Sequence, residues 1–280
     1  IIPAYNGITR SGVAWWGEKV SENTTKPITD PTQIKKMLDI FDIEQYSGKD
    51  TGTNIIIPYI DEKEILRHNS VRSNNNQSSE TIFENLSDYL ELAIQRWYAP
   101  RLNNPHYKYG NKKYLKVSIN GVELTSNDES KYFSLIRDMY NFGVTGKLNM
   151  VESSVDLKSL NREVIRLNNN KIAEFDSSEI GYLVYSRFNY DELGMLRSND
   201  QRTSIVTYCR QPGMLINYED KGPWANNLPI SDSENYILAI FVLNSNNKIR
   251  FSNGDIISLE EYVRQGEEAD HIAWSDHQKM

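Results

Sequence analysis

The chain has 280 residues, 39% of them hydrophobic and 11% aromatic, which supplies apolar material for two modest domains or one large one and excludes wholesale disorder. Its 31 basic residues against 38 acidic ones leave a net charge of -7, so it lacks the overall basic excess of a phosphate-backbone binder, though a local patch is compatible with that sum. Cys209 is the single cysteine, which excludes an intramolecular disulfide framework and a cysteine zinc site; with no run of eighteen apolar residues and no charged leader, a cytoplasmic setting without a membrane span is expected.

Residues 1–26 are turn-rich and hold adjacent tryptophans, Trp15 and Trp16, read as packing anchors rather than a stacking platform. Asp30 and Pro31 open a helix, as N-cap and first helical residue, with Gln33 reaching back in a capping box and Ile34, Met37, Leu38 and Phe41 as its inward face. A polar, glycine-punctuated turn at 47–52 then feeds Ile55, Ile56 and Ile57 and stops at Pro58, which predicts a short strand buried on both faces. Residues 61–78 are charged and then rich in Asn and Ser, and read as a loop or linker. Ile82, Phe83, Leu86, Tyr89, Leu90, Ala93, Ile94 and Trp97 fall on one helical stripe that ends before Pro100.

Residues 114–119 alternate, Asn120-Gly121 is a two-residue hairpin turn, and 122–124 returns. Ser126 with Glu129 is expected to cap a helix carrying Phe133, Ile136 and Tyr140 and closing at Gly143. Leu157, Leu160, Val164 and Leu167 keep helical spacing over 156–167. Strands are predicted at 180–188, 203–209, 214–218 and 236–243, followed by a hairpin turned by Asn253-Gly254 and a helix capped by Ser258 and Glu261 that closes at Gly266. The pattern is α+β, with helices covering one face of a mixed sheet.

The familiar catalytic motifs fail one by one. Gly48-Lys49 is not a phosphate loop, because Ile43 stands where its first glycine belongs and Asp50 where Ser or Thr must follow the lysine; no G-x-S-x-G, H-E-x-x-H or G-x-G-x-x-G occurs. Asp270-His271 and Asp276-His277 match no closed set of metal ligands and read as a polar terminal segment. Glu219-Asp220-Lys221 has the carboxylate and lysine of a Mg²⁺-dependent nuclease half-site, with Asp191 or Asp200 needed as the second carboxylate. In Arg210-Gln211-Pro212-Gly213-Met214 a lone arginine beside a Pro-Gly turn could present its planar fork to phosphate oxygens; as bare physics it reads as a hairpin with an exposed arginine.

Several stretches, in order, resemble one superfamily. The aromatic segment 12–17 resembles a G-x-x-x-x-G segment and residues 26–30 a following P-I-x-D; Phe41 with 52–58 is similar to an F…GTSIVIP strand, Arg210-Gln211-Pro212-Gly213-Met214 to an R-x-P-G-M turn, and 267–274, more loosely, to E-P-P-x-H-D-x-W. These resemble the middle and C-terminal part of bacterial ATP-binding proteins of the gyrase, chaperone, histidine-kinase and MutL (GHKL) superfamily. The resemblance implies that residues 1–60 are the tail of an α/β-sandwich ATP-binding (Bergerat) fold with Gly52 and Thr53 near the nucleotide, 61–109 a helical connector, and 110–280 a transducer-like domain. It also implies ATP and Mg²⁺, bound mainly by boxes expected upstream of Ile1 in a longer chain, so that this stretch alone does not hydrolyse ATP. Arg210 first and Lys221 second are the basic residues expected to meet the γ-phosphate. The implied consequence is a rearrangement or homodimerisation that reports nucleotide state to a protein or nucleic-acid client. Two readings from other classes stand beside it: an interaction module binding protein or single strands on a sheet bearing Tyr182, Tyr185, Tyr190 and Tyr208, and the Mg²⁺ nuclease on Glu219 and Lys221.

Overall fold

Asp30 and Pro31 start the first helix as their chemistry dictates: the Asp30 carboxylate accepts from the Thr32 amide at 2.9 Å, and Pro31 occupies the first turn, where no amide is needed. The computed structural model describes residues 17–21, 24–49, 51–53, 55–57, 60–70, 83–148, 159–169, 173–189, 193, 204–219 and 235–266. Trp15, Trp16, Asp191, Asp200, Lys221 and the segment 267–277 lie outside them. The chain divides into two units, 1–60 and 61–280.

In the first unit, β1 (Glu18–Ser21) and β2 (Thr24–Lys26) form an antiparallel ribbon, and α1 spans Pro31–Ile40. Ile34, Met37 and Leu38 of the expected inward stripe are half-buried, and Phe41 is exposed. The buried strand expected around the three isoleucines is not found among the described residues. Residues 55–57 pair with no described strand, and Ile55 is 83% exposed. The physical reason is local: among the described residues the unit's one sheet is the β1–β2 ribbon, itself exposed throughout, which offers no layer that could cover both faces of a third strand.

The second unit opens on α2 (Glu62–Ser70), where the sequence reads as a loop; Asp61 accepts from the Glu64 amide at 3.1 Å, and Glu62 and Glu64 in the first turn favour the helix dipole. α3 (Leu86–Tyr98) follows the predicted stripe, capped by Asn85. Both helices fall in the stretch read as a connector. β3 (Val117–Ile119) and β4 (Val122–Leu124) form the expected hairpin, with Asn120 and Gly121 at φ 51° and 80°.

α4 (Lys131–Thr145) begins and ends later than its sequence signals suggest. Its cap is Ser130, because Thr125 and Asp128 are tied into a turn of their own: the Asp128 carboxylate accepts from the Thr125 amide and hydroxyl. It closes at Gly146, in the left-handed region at φ 68°. Gly143 lies inside the helix because a side chain there would press on Val184; its Cβ would stand 3.2 Å from a Val184 methyl carbon.

The remaining strands are β5 (Asn161–Arg166), β6 (Ala173–Phe175), β7 (Glu179–Asn189), β8 (Ser204–Arg210), β9 (Met214–Glu219), β10 (Asn235–Leu243), β11 (Lys248–Phe251) and β12 (Ile256–Ser258), with α5 (Leu259–Gln265) after them. β5 stands at 161–166, within the helix expected over 156–167, of which 156–158 lie outside the described residues: its pairing along β7 overrides a helical spacing that rests on four residues. A mixed five-stranded sheet runs β5-β7-β10-β8-β9, with only β10 and β8 parallel, and a smaller sheet runs β12-β11-β6. The fold is therefore mixed α+β.

α4 packs on β7 and β10 of the large sheet. Leu135, Ile136, Met139 and Tyr140 of the helix meet Val184, Leu238, Ile240, Val242 and Leu215 in the main core. On the reverse face Val206 and Ala239 are buried between Leu183, Tyr185 and Tyr208. Leu243, Ile249 and Leu259 form a second core under α5.

Candidate functional site

β8 ends at Arg210 and β9 begins at Met214, so Gln211, Pro212 and Gly213 form a three-residue hairpin connection; Gly213 closes it at φ 82°, and its amide donates to the Arg210 carbonyl at 2.8 Å. The turn is held from every side. The Tyr107 hydroxyl donates to the Pro212 carbonyl at 2.8 Å, the Tyr140 hydroxyl donates to the Gln211 carbonyl, and the Gln211 amide donates to Ser245 Oγ at 3.1 Å.

The Arg210 side chain is turned inward. It is 11% exposed, and its Nη1 donates to Glu260 Oε1 at 3.0 Å, while Nη2 lies 3.0 Å from Met214 Sδ. Glu260, 18% exposed in the first turn of α5, accepts through Oε2 from Ser245 Oγ at 2.7 Å. The exposed arginine read from the sequence is thus half of a buried ion pair, since its partner stands fifty residues away and reaches it only through the fold. A guanidinium held this way is rigidly aimed, and Glu260 offsets its charge.

The neighbours explain what else the site can do. Burial pushes the Cys209 thiol well above its ordinary pKa despite the Arg210 charge beside it, which leaves an inert thiol rather than a nucleophile. Burial likewise raises the Tyr140 and Tyr107 hydroxyls, so both remain protonated donors to the turn. The arrangement positions a charge and couples it to α4, α5 and the loop that carries Tyr107.

Of the other residues singled out, Gly52 and Thr53 are exposed in the first unit, with the Tyr46 ring against Gly52: a Cβ there would come within 2.5 Å of the Tyr46 hydroxyl oxygen. Lys221 is outside the described residues, as are Asp191, Asp200 and Asp220 of the nuclease reading. Glu219 accepts from the Tyr208 hydroxyl at 2.7 Å, and among the described residues no cluster of three or more His, Cys, Asp and Glu could hold a metal ion. The tyrosine platform divides by strand parity. Tyr185 and Tyr208 share the sheet face opposite α4, whereas Tyr182, three residues from Tyr185, faces the other way, with the Arg162 guanidinium 4.4 Å above its ring. Tyr190 is outside the described residues.

One constellation escapes a reading by elements. Between Glu91 and Glu123 the sequence has no acidic residue but holds Arg96, Arg101, Lys108, Lys112, Lys113 and Lys116, interleaved with Trp97, Tyr98, Tyr107, Tyr109 and Tyr114. The signal is an acid-free window in an acidic chain, which a whole-chain charge sum conceals.

No protein-family model matches this chain, and no curated protein or solved structure matches it. Among the described residues no helix is long and apolar enough to cross a membrane.

Proposed function

We propose that this chain is the transducing part of a GHKL-type ATPase, coupling ATP binding and hydrolysis in an upstream nucleotide domain to a conformational change. The observation that carries the reading is the Arg210 turn, where the motif that resembles R-x-P-G-M holds a guanidinium aimed by Glu260 and by a backbone gripped from three elements. On this reading residues 1–60 are the tail of the ATP-binding fold, Gly52 and Thr53 lie beside the nucleotide, and the boxes that hold ATP and Mg²⁺ stand upstream of Ile1. A cytoplasmic setting and nucleotide-driven dimerisation belong to the same proposal.

ATP, when bound, supplies the developing phosphoryl charge that a basic residue offsets. A planar fork fits phosphate oxygens as well as it fits the Glu260 carboxylate, so Arg210 is the residue to meet them, with Lys221 second. Because Glu260 belongs to α5, drawing the guanidinium away would release the first turn of that helix, while Tyr140 of α4 and Tyr107 of the preceding loop hold the backbone of the turn that carries Arg210. That mechanical linkage is what a transducer requires.

In the complete protein, Arg210→Ala is expected to lower ATP turnover on the order of 10²-fold, the usual effect of losing one charge-stabilising donor, with nucleotide affinity nearly unchanged. Arg210→Lys, which keeps the charge but loses the fork, should recover only part of it. Turnover unaltered by either change, in protein that remains folded at the assay temperature, removes Arg210 from the site.

A further inference from the structure

We propose that the loop over residues 99–116, with Arg96 at its base, is a docking surface for the phosphate backbone of a nucleic acid. The window from 92 to 122 contains six of the chain's 31 basic residues and none of its 38 acidic ones. Lys108, Lys112 and Lys113 are exposed, and among the described residues none of the three pairs with a carboxylate. Lys116 is partly offset by Glu123 at 3.2 Å, and the nearby Glu260 is already matched by Arg210.

The loop is built to hold these charges in place. The Leu115 amide donates to the Arg101 carbonyl at 2.8 Å, the Asn103 amide donates to the Leu115 carbonyl at 2.9 Å, and Arg101 Nε donates to the Lys113 carbonyl at 3.1 Å. Buried Asn104 bonds the Pro100 carbonyl at 2.7 Å and Asn141 of α4 at 2.8 Å, and the Tyr107 hydroxyl pins the far side to Pro212. Gly110, at φ 55°, turns the tip, and Lys112 lies over the Tyr109 ring at 5.4 Å. A polyanion meeting this surface therefore spends little on ordering it.

The negative total of the chain does not oppose this. At about 0.1 M salt, charges more than roughly 10 Å away are largely screened, so the local sign decides. Exposed Tyr98 and Tyr114 flank the basic residues and offer π-faces to unpaired bases, the usual companion of a basic track. No base-edge reader is evident in the arrangement, so binding should be insensitive to sequence.

The test is fluorescence anisotropy of the 280-residue chain with a labelled single strand of about 30 nucleotides and its duplex, at several salt concentrations. If Lys108, Lys112 and Lys113 each release a counterion, raising salt about fourfold should weaken duplex binding roughly 40-fold and single-strand binding roughly 20-fold. The triple change Lys108→Gln, Lys112→Gln and Lys113→Gln should flatten the duplex salt slope by about 2.7 and weaken binding by about tenfold or more, without shifting the melting temperature, since all three side chains are exposed. Binding to neither nucleic acid, binding unaffected by the triple change, or capture only by vesicles of anionic lipid would each overturn the proposal. None of these outcomes depends on whether the ATPase reading holds.

Discussion

Glu129→Ala is expected to cost about 3–5 kcal/mol in urea unfolding, the usual penalty for leaving a buried charge without its partner. Glu129 and Arg137 form an ion pair whose side chains are 3% and 9% exposed, and Asn103 donates to the other Glu129 oxygen at 3.3 Å. Burial raises the Glu129 carboxyl above its ordinary range, a shift that the Arg137 charge and the Asn103 bond oppose without cancelling. The sign follows: with a folded pKa above the unfolded one, this group favours the folded state at low pH, and that contribution is lost as pH rises through the folded pKa. At neutral pH the carboxylate is therefore held at some cost, and its worth lies in matching Arg137. Glu129→Leu with Arg137→Met, which removes both charges, should recover most of the loss. If the single and double changes cost the same, the pair is not what stabilises this corner.

That corner also shows where sequence stops being informative. Local rules place α1, α3, the Asn120-Gly121 hairpin, strands β7 to β10 and α5, because caps, turns and alternation act within a few residues. Features decided by distant partners are misread. Ser126 and Glu129 have the spacing of a capping box, but Glu129 faces Arg137 and the cap passes to Ser130. Gly143 resembles a helix end and is instead a packing glycine against β7. Residues 161–166 become a strand through pairing with β7, a contact that their own spacing does not encode.

The candidate site divides along the same line. The turn from Arg210 to Met214 is legible from Pro212 and Gly213, whereas Glu260, the residue that turns the guanidinium inward, is not. Strand parity by itself separates Tyr182 from Tyr185, since three residues along a strand is an odd step. The acid-free window is legible too. It is invisible only when charge is summed over the whole chain instead of along it.

Gly213→Ala should cost about 2–5 kcal/mol and loosen the basic loop together with the turn. Two effects combine. A residue with a Cβ at φ 82° loses about 1–2 kcal/mol to the left-handed conformation, and the added carbon would stand 2.9 Å from Arg101 Cβ and 3.1 Å from a Tyr107 ring carbon, an overpacking worth about 1–3 kcal/mol. Gly254 supplies the control: it has φ 91° with nothing within 4 Å of its would-be Cβ, so Gly254→Ala should carry the conformational part alone. The difference between the two in urea unfolding isolates the contact between the Arg210 turn and the loop. Because Tyr107 donates to Pro212, relief of the crowding should draw that hydroxyl away, and the Asn103 and Leu115 amides should exchange with solvent faster in Gly213→Ala than in Gly254→Ala. Equal losses and equal exchange would mean that the loop does not bear on the turn. An excess at Gly213 would mean that whatever moves the Arg210 guanidinium also moves the surface that carries Lys108, Lys112 and Lys113, giving the two proposed sites a shared mechanical element.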